Sequence, residues 1–333
     1  MASRVDIAAI HRRLAFPAIP KHLALSAALI AVLTLVPLAA GSYHIYLIEL
    51  ALLNVIVAIG LNLLTGNCGQ ISLCHASFMA IGAYTTALLM TRAGLSYLVA
   101  LPVGAAAAAL LGAGLGFPAR RLSGLYLALV TLGFLEIVQI AIEESPDLTG
   151  GIRGLSVPRP HILGFHLKSD ASVYYLVLAI TVAAVTVGAN LQRSRFGRAF
   201  DAIRQSSFAA QSLGIPPGQI KLLAFSVAAG FAGLAGGLFT IVVGFIDPTE
   251  FGISASLRHI TFIVVGGLGS VVGSILGAVA LTALPELLRG AKEYSDLVYG
   301  AILLGTLLFM PRGLKGLWDT LAKLDWRRVK IWP

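Results

Sequence analysis

Hydrogen-bonding side chains are concentrated in one short segment between two apolar runs. They are Asn62, Thr65, Asn67, Gln70, Ser72, His75 and Ser77. Polar groups in such a position are typical of unwound backbone or of a lined cavity. Asn62, Gln70, Ser72 and His75 are therefore candidates to line a polar path. Hydrogen bonds between helices are the alternative explanation, and His75 alone fits a satisfied buried histidine as well as a proton carrier.

Two carboxylates fall inside apolar runs. Glu136 follows a long stretch of apolar and small residues, with Gln139 one turn beyond it, and Glu49 lies in an earlier run. An ionisable group is expensive to bury in hydrocarbon, so such a residue is a functional candidate by default. Glu136 is the stronger candidate of the two. A position near an interface or a local partner is the alternative for both.

Motifs of known enzymes do not accompany these residues. The sequence contains no phosphate-binding G-x4-G-K-[ST] loop and no H-E-x-x-H or G-x-S-x-G motif. Cys68 and Cys74 lack companions at metal-ligand spacing, so neither a metal site nor a disulfide framework is predicted. We therefore expect no enzymatic activity and no cofactor bound by this chain. Any dependence on ATP would come from another subunit.

The amino-acid composition indicates the class of protein that contains these polar residues. Hydrophobic residues make up 57% of the 333 positions and charged residues only 12%, against roughly 25% charged residues in a soluble domain. Runs of about 20 apolar residues, enough to cross a bilayer as a helix, recur along the chain. They are continuously apolar, unlike the alternating strands of a membrane barrel. The sequence therefore predicts an all-α polytopic membrane protein.

The apolar runs predict the individual spans. They lie at about residues 22–41, 43–65, 70–90, 95–117, 122–142, 172–191, 220–245 and 295–310. We interpret the first as an uncleaved span rather than a signal peptide, because the next run follows almost at once. The run at 260–283 contains Gly266-Gly267-Leu268-Gly269 and is predicted to break into re-entrant half-helices. The total is about eight full transmembrane helices plus this broken segment.

Basic charge is confined to segments between the apolar runs. Most of the 24 Lys and Arg residues lie at 1–22, at Arg120-Arg121, at 191–221 and at 311–333. The positive-inside rule places these segments, and hence both termini, in the cytoplasm. This predicts a cytoplasmic arm at 1–22, a transmembrane domain at 23–311 with a cytoplasmic loop at 192–219, and a cytoplasmic tail at 312–333. No basic stripe with interleaved aromatic residues is left to bind nucleic acid.

Glycines at intervals of four residues predict close helix packing. Gly233 and Gly237 form one pair, and Gly269, Gly273 and Gly277 form a second series that is expected to share one helix face. Small residues let helix backbones approach closely where lipid supplies no hydrophobic drive for association. Packing within the chain is the expected role, and an interface with a partner is the alternative.

The cytoplasmic loop is too apolar to be a simple linker. Phe200, Ile203, Ala210 and Leu213 can share one helical stripe, and Gly214 with Pro216-Pro217 supplies stop signals. The pattern predicts a short amphipathic helix pair that docks a partner protein. A helix lying on lipid headgroups is the alternative.

Short motifs in this loop occur together with others along most of the chain. In the loop they are Arg198-Ala199, Ala202-Ile203-Arg204, Ala209-Ala210, Leu213-Gly214-Ile215 and Lys221-Leu222-Leu223-Ala224-Phe225. Elsewhere they are Gly60-Leu61-Asn62-Leu63-Leu64-Thr65-Gly66, Gly69-Gln70-Ile71-Ser72-Leu73, His75-Ala76, Gly82-Ala83-Tyr84, Gly124-Leu125-Tyr126, Thr149-Gly150-Gly151 and Gly266-Gly267-Leu268-Gly269-Ser270. Together these motifs resemble the branched-chain amino acid permease family of ABC importers, and the resemblance covers roughly residues 45–312. Cys74 stands where the family often has Gly, and Ser207 and Gln211 stand where it has acidic residues.

The resemblance implies an assembly in the bacterial inner membrane. Its parts are a second homologous permease, two cytoplasmic ATPases that hold ATP-Mg, and a periplasmic substrate-binding protein. The implied mechanism is ATP-driven alternating access for branched-chain or other hydrophobic amino acids, with urea or short amides as alternative substrates. The ATPase-coupling residues would be Arg198, Arg204, Ala209, Ala210 and Gly214. A proton-coupled carrier that uses Glu136 or His75 is the alternative from a different class.

Overall fold

The computed structural model describes residues 31–37, 40–122, 124–162, 165–166, 169–287, 295–309 and 313–316. The chain divides into two compact units after Ile45. In the first unit, residues 31–37 are helical and the rings of Tyr43 and His44 meet edge to face, with centroids 5.9 Å apart. Residues 22–30 of the first predicted span, the basic arm and most of the basic tail lie outside the described residues.

Helices dominate the described part of the chain. They are α1 (Ser42–Leu61), α2 (His75–Thr91), α3 (Tyr97–Ala119), α4 (Leu125–Glu143), α5 (Pro146–Thr149), α6 (Asp170–Arg193), α7 (Arg195–Gln205), α8 (Ser207–Ser212), α9 (Pro217–Val243), α10 (Ile253–Gly266), α11 (Val271–Leu287) and α12 (Ser295–Phe309). A π-helix, Asn62–Asn67, continues α1, and short 3-10 turns occur at Gly151–Arg153 and Pro248–Phe251.

Five of these helices are long and apolar enough to cross a membrane. They are α1 with its π-helical extension, α3, α4, α6 and α9, of 19 to 27 residues. They confirm the runs predicted at 43–65, 95–117, 122–142, 172–191 and 220–245. Among the described residues α10, α11 and α12 are shorter apolar helices, so the total of about eight full spans is not confirmed. α2 begins only at His75, because residues 68–74 are not helical.

The core forms where α9 packs against α2 and α3, and small residues make this possible. A Cβ atom added at Gly82 of α2 would overlap the carbonyl oxygen of Gly233, and one added at Gly233 would overlap Ala108 of α3. The hydroxyl of the fully buried Tyr97 donates a hydrogen bond of 3.1 Å to the carbonyl oxygen of Gly237. Gly233 and Gly237 therefore serve packing within the chain, as expected for close helix contacts.

The predicted break in the segment 260–283 is confirmed. α10 ends at Gly266, α11 begins at Val271, and Gly267 and Gly269 of the intervening turn have φ angles of 119° and 79°. The two helices pack closely, since a Cβ added at Gly277 would overlap the carbonyl oxygen of Phe262. Gly269 was expected on one helix face with Gly273 and Gly277. It lies instead in the turn, where its positive φ excludes it from a right-handed helix.

Short β-strands lie in the loops that follow α4 and α9. β1 (Leu155–Ser156) pairs in antiparallel fashion with β4 (Phe245–Ile246), which follows α9. β2 (His161–Ile162) pairs with β3 (Phe165–His166) in a hairpin. The guanidinium of Arg92, just beyond the end of α2, donates to the carbonyl oxygens of Asp147 and Leu148 in α5. These contacts tie together the segments that follow α2, α4 and α9.

Candidate functional site

The amphipathic pair predicted between two spans is formed by α7 and α8, and serine caps define both helices. The Ser194 hydroxyl accepts from the Phe196 N–H at 3.1 Å, and the Ser206 hydroxyl accepts from the Ala209 N–H at 3.2 Å. Such caps satisfy N–H groups that the first helical turn leaves unpaired. Gly214 follows α8 with φ at +81°, and Pro217 opens α9. The pair is thus a defined structural element.

One face of this pair is buried and the other is exposed. Phe200, Ile203 and Ala210 pack into a core cluster that includes Phe225 of α9. Phe208 and Leu213 are 83% and 79% exposed. Leu213 was predicted on the buried stripe, but it stands at the C-cap of α8, where the helical periodicity ends. The pair therefore presents two large apolar side chains away from the rest of the chain.

The residues predicted to couple to an ATPase occupy different environments. Ala209 and Gly214 are exposed, and a Cβ at Gly214 would meet nothing within 4 Å, whereas Ala210 is buried. The Arg198 guanidinium donates a 3.1 Å hydrogen bond to the carbonyl oxygen of Arg193. The Arg204 guanidinium donates to the carbonyl oxygen of Gly66, although Arg204 as a residue stays exposed. Of these five residues, only Ala210 is buried.

Three segments distant in sequence meet beside α7, at a cluster that we call the junction: Asn62, Gly66, Asn67, Gln192, Asp201, Arg204 and Gly269. The Gln192 amide donates to the Gly269 carbonyl oxygen at 2.7 Å and to the Asn67 side-chain oxygen at 3.4 Å. The Asn67 amide donates to the Asp201 carboxylate at 3.0 Å, and the Asn62 side-chain oxygen accepts from the Gly269 N–H at 2.8 Å. The junction therefore joins α6, α7, the π-helix and the glycine turn between α10 and α11.

The unwound backbone predicted from the polar segment is present. The helix after Leu61 widens into a π-helical turn, and the chain then runs without helix from Cys68 to Cys74. π-turns are rare and are frequent at functional sites. Asn62, which is predicted to line a polar path, accepts a hydrogen bond from the Gly269 N–H of the glycine turn.

Gln70, Ser72 and His75 are buried together near α10. The Ser72 hydroxyl lies 3.4 Å from Cys74 Sγ and 3.5 Å from His75 Nδ1. Within the described part of the chain, Gln70 Oε1, His75 Nε2 and Ser77 Oγ are buried without a hydrogen-bond partner. On α10 the Ser256 hydroxyl accepts from the Ala76 N–H at 3.2 Å, and His259 Nδ1 is also buried without such a partner. Unsatisfied buried polar atoms are uncommon and each calls for an explanation.

Glu136 does not join this cluster. Thr131, on the buried face of α4, accepts from the Leu73 N–H at 3.0 Å. Glu136 is five residues further on, a rotation of about 140° around the helix, and it is exposed. Glu49 is buried on α1, and its Oε1 has no hydrogen-bond partner among the residues described. The two intramembrane carboxylates therefore lie in opposite environments.

Sequence reasoning missed Gln192, Asp201 and Gly66. A glutamine at the end of a span and an aspartate in a basic loop are typical of solvent-facing positions. Gly66 offered one signal, because it stands four residues after Asn62 and so shares its face in a helix. The partners of these residues lie far away in the sequence, and spacing alone does not reveal them.

Within the described part of the chain, five membrane-capable helices, a broken helix pair and a capped two-helix element between spans form the architecture of a polytopic α-helical membrane protein. Residues 43–307 match the family described as the permease component of branched-chain amino acid transport systems, and the chain belongs to this family.

Several curated relatives are similar over most of their length. The chain is 38% identical to the high-affinity branched-chain amino acid transport permease LivM of Escherichia coli K12, over 80% of this chain and 68% of LivM. It is 29% identical to LivH of Salmonella typhimurium, over 78% of this chain and 90% of LivH. It is 32% identical to the autoinducer 2 import permease LsrC of Salmonella choleraesuis, over 70% and 74% of the two chains. No solved structure matches the chain significantly.

Proposed function

We propose that this chain is one permease subunit of an ATP-driven importer that moves branched-chain or other hydrophobic amino acids across the bacterial inner membrane. The observation that carries the proposal is the α7–α8 pair, a capped element between two spans that exposes Phe208 and Leu213. LivM and LivH are both named as permease proteins of branched-chain amino acid transport, which supports this substrate class. In this assembly the chain works beside a second permease, and substrate is delivered by a periplasmic binding protein.

The chemistry of ATP belongs to two partner ATPases in this proposal. The ATP-Mg is held by those subunits, and this chain binds no cofactor. α8 docks on the ATPase with Phe208 and Leu213 as apolar anchors, and the small Ala209 permits close approach. Ser207 and Gln211 supply polar contacts to the ATPase. Alternating access follows when closure of the ATPases moves this docked helix.

The distribution of charged residues supports a cytoplasmic location for the α7–α8 pair. Arg193, Arg195, Arg198 and Arg204 lie at the end of the second unit that carries the α7–α8 pair. At the other end, Arg92, Arg153 and Arg159 are accompanied by Asp147, Asp170, Asp247 and Glu250. By the positive-inside rule the α7–α8 end faces the cytoplasm. The same rule places the arm at 1–22 and the tail at 312–333 in the cytoplasm. The loops around β1 and β4 then face the binding protein.

The substrate path runs along the exposed face of α4 in this proposal. Glu136 shares that face with Leu129, Ile137 and Ile140, which are all exposed. A bare carboxylate facing hydrocarbon is costly, so this face is covered by the second permease or by an aqueous path. Gln70 Oε1 and His75 Nε2, which are buried without hydrogen-bond partners, become available to the charged groups of an amino acid when α2 and α10 separate.

Purification from native membranes in mild detergent, with mass spectrometry of the companions, tests the proposal. We expect a second permease and an ATPase with a phosphate-binding loop to accompany the tagged chain. Recovery of the chain alone, or only with itself, across several mild detergents would overturn the assembly. That outcome would favour a self-contained proton-coupled carrier and make Glu136 the next residue to test.

A further inference from the structure

We infer that the junction is a mechanical link by which α7 sets the position of the glycine turn between α10 and α11. This inference rests on the proposed function, because it assigns the route by which motion of the docked α7–α8 pair reaches the spans. Gln192, Asp201 and Asn62 are positioning residues in this link.

Side chains from two other segments hold both backbone polar groups of Gly269. Asn62 accepts from its N–H at 2.8 Å, and Gln192 donates to its carbonyl oxygen at 2.7 Å. Backbone groups in buried turns must find partners, and most find them in the main chain. Here the partners are amides on the π-helix and on α6. The position of the turn is therefore set from outside the broken segment.

α7 is attached to both of these segments. Gln192 belongs to the last turn of α6, and a Cβ at Gly197 of α7 would overlap its carbonyl oxygen, so the two helices touch there. Asp201 and Arg204 share one face of α7 at a spacing of three residues. Asp201 accepts from Asn67, and Arg204 donates to Gly66. A rotation of α7 must therefore move the π-helix, the end of α6 or both.

The junction leaves little slack to absorb such a motion. A Cβ at Gly66 would overlap Asn62 Oδ1 and lie 2.5 Å from the Gly269 nitrogen. A Cβ at Gly69 would lie 3.1 Å from the Arg204 side chain, and one at Gly269 would lie 3.3 Å from its guanidinium. Close-packed interiors transmit displacement rather than dissipate it. The displacement reaches α10, whose Ser256 is hydrogen-bonded to Ala76 of α2 at 3.2 Å.

A comparison of uptake with ATP hydrolysis tests the link in the assembled transporter. The complex of this chain with its second permease and ATPases is reconstituted in liposomes with its binding protein. We expect Gln192→Leu to lower leucine uptake per ATP hydrolysed by about tenfold, within the usual range of coupling between sites. The matched control is Asn190→Leu, an exposed amide on the same helix that points away from the junction. Equal uptake per ATP in the two variants would overturn the link.

A double variant distinguishes a link from independent damage. If Gln192 and Asp201 act in one route, Gln192→Leu with Asp201→Ala loses no more coupling than the worse single variant. If the two residues contribute independently, the loss of coupling in the double variant equals the sum of the two single losses. Additive losses would overturn the single route.

Hydrogen exchange tests the link even if the proposed function fails or a variant does not assemble. We expect the backbone amides of 267–270 to exchange faster in Gln192→Leu than in Asn190→Leu, measured on the full chain in lipid nanodiscs. Unchanged exchange would overturn the link by itself. Failure of the proposed function has a separate signature, namely no ATP-driven uptake by the unmodified assembly.

Discussion

At the residue scale, the junction can form because Gly66 has no side chain. This glycine sits where the π-helix meets the glycine turn, and a Cβ atom there would overlap Asn62 Oδ1 and lie 2.5 Å from the Gly269 nitrogen. The hydrogen bond between those two residues closes the junction. Any side chain at position 66 must therefore displace the turn or break that bond.

We expect Gly66→Ala to destabilise the protein by about 1–3 kcal/mol, the usual cost of overpacking a dense site. Thermal unfolding in detergent, followed by circular dichroism or light scattering, measures the effect as a lower midpoint temperature. The control is Gly114→Ala on α3, where a Cβ would meet nothing within 4 Å. An unchanged midpoint for Gly66→Ala would contradict the close approach described here.

Gly214 is constrained by its backbone rather than by its neighbours. Its φ is +81°, and a Cβ there would meet open space. Left-handed backbone costs ordinary residues roughly 1–2 kcal/mol, whereas Asn adopts it more readily. We expect Gly214→Leu to uncouple ATP hydrolysis from uptake and Gly214→Asn to retain most coupling. Coupled uptake by Gly214→Leu at the unmodified level would count against a stiff loop.

At the element scale, α7 and α8 show what local sequence predicts and what it does not. Serine caps, the Phe200 and Ile203 stripe and the Gly214 stop are local signals, and the helix pair formed as predicted. The exposure of Leu213 was missed, because helical periodicity was extended past the end of α8. The hydrogen bond from Arg204 to the carbonyl oxygen of Gly66 was also missed, because that contact spans distant parts of the chain.

Phe208 tests the docking face of the α7–α8 pair. We expect Phe208→Ser to reduce co-purification of the ATPase by at least about tenfold, since burying such a side chain is worth about 1.5–3 kcal/mol. Phe245→Ser is the control, because Phe245 is also exposed but lies beyond the opposite end of α9. Quantitative mass spectrometry of the tagged complexes gives the ratio. Equal loss of ATPase from both variants would show that the docking face lies elsewhere.

At the scale of the whole molecule, the length and hydropathy of the apolar runs predicted the long helices, because both are properties of a continuous stretch of sequence. The short helices α10, α11 and α12 have 14, 17 and 15 residues, so composition alone does not fix the number of spans. The glycine run did predict the break between α10 and α11. The junction that holds this break depends on side chains from three segments, and a pattern of apolar runs carries no information about them.

The proposed orientation predicts opposite labelling at the two ends of α9. Exposed Ser212, after which α8 ends, should react as Ser212→Cys with an impermeant maleimide only from the cytoplasmic side. Exposed Ser156 in β1 should react as Ser156→Cys only from the outside. Cys68 and Cys74 are buried, so the native background is low. Labelling of both positions from the same side of intact cells or inverted vesicles would contradict the orientation.

The central claim is that ATP drives amino-acid import through this chain. The most direct measurement is leucine uptake into liposomes that carry the assembled complex, with the binding protein outside and ATP in the lumen. We expect uptake to require luminal ATP and to continue when a protonophore collapses the proton gradient. Uptake that proceeds without ATP and stops with the protonophore would contradict the account and identify a proton-coupled carrier.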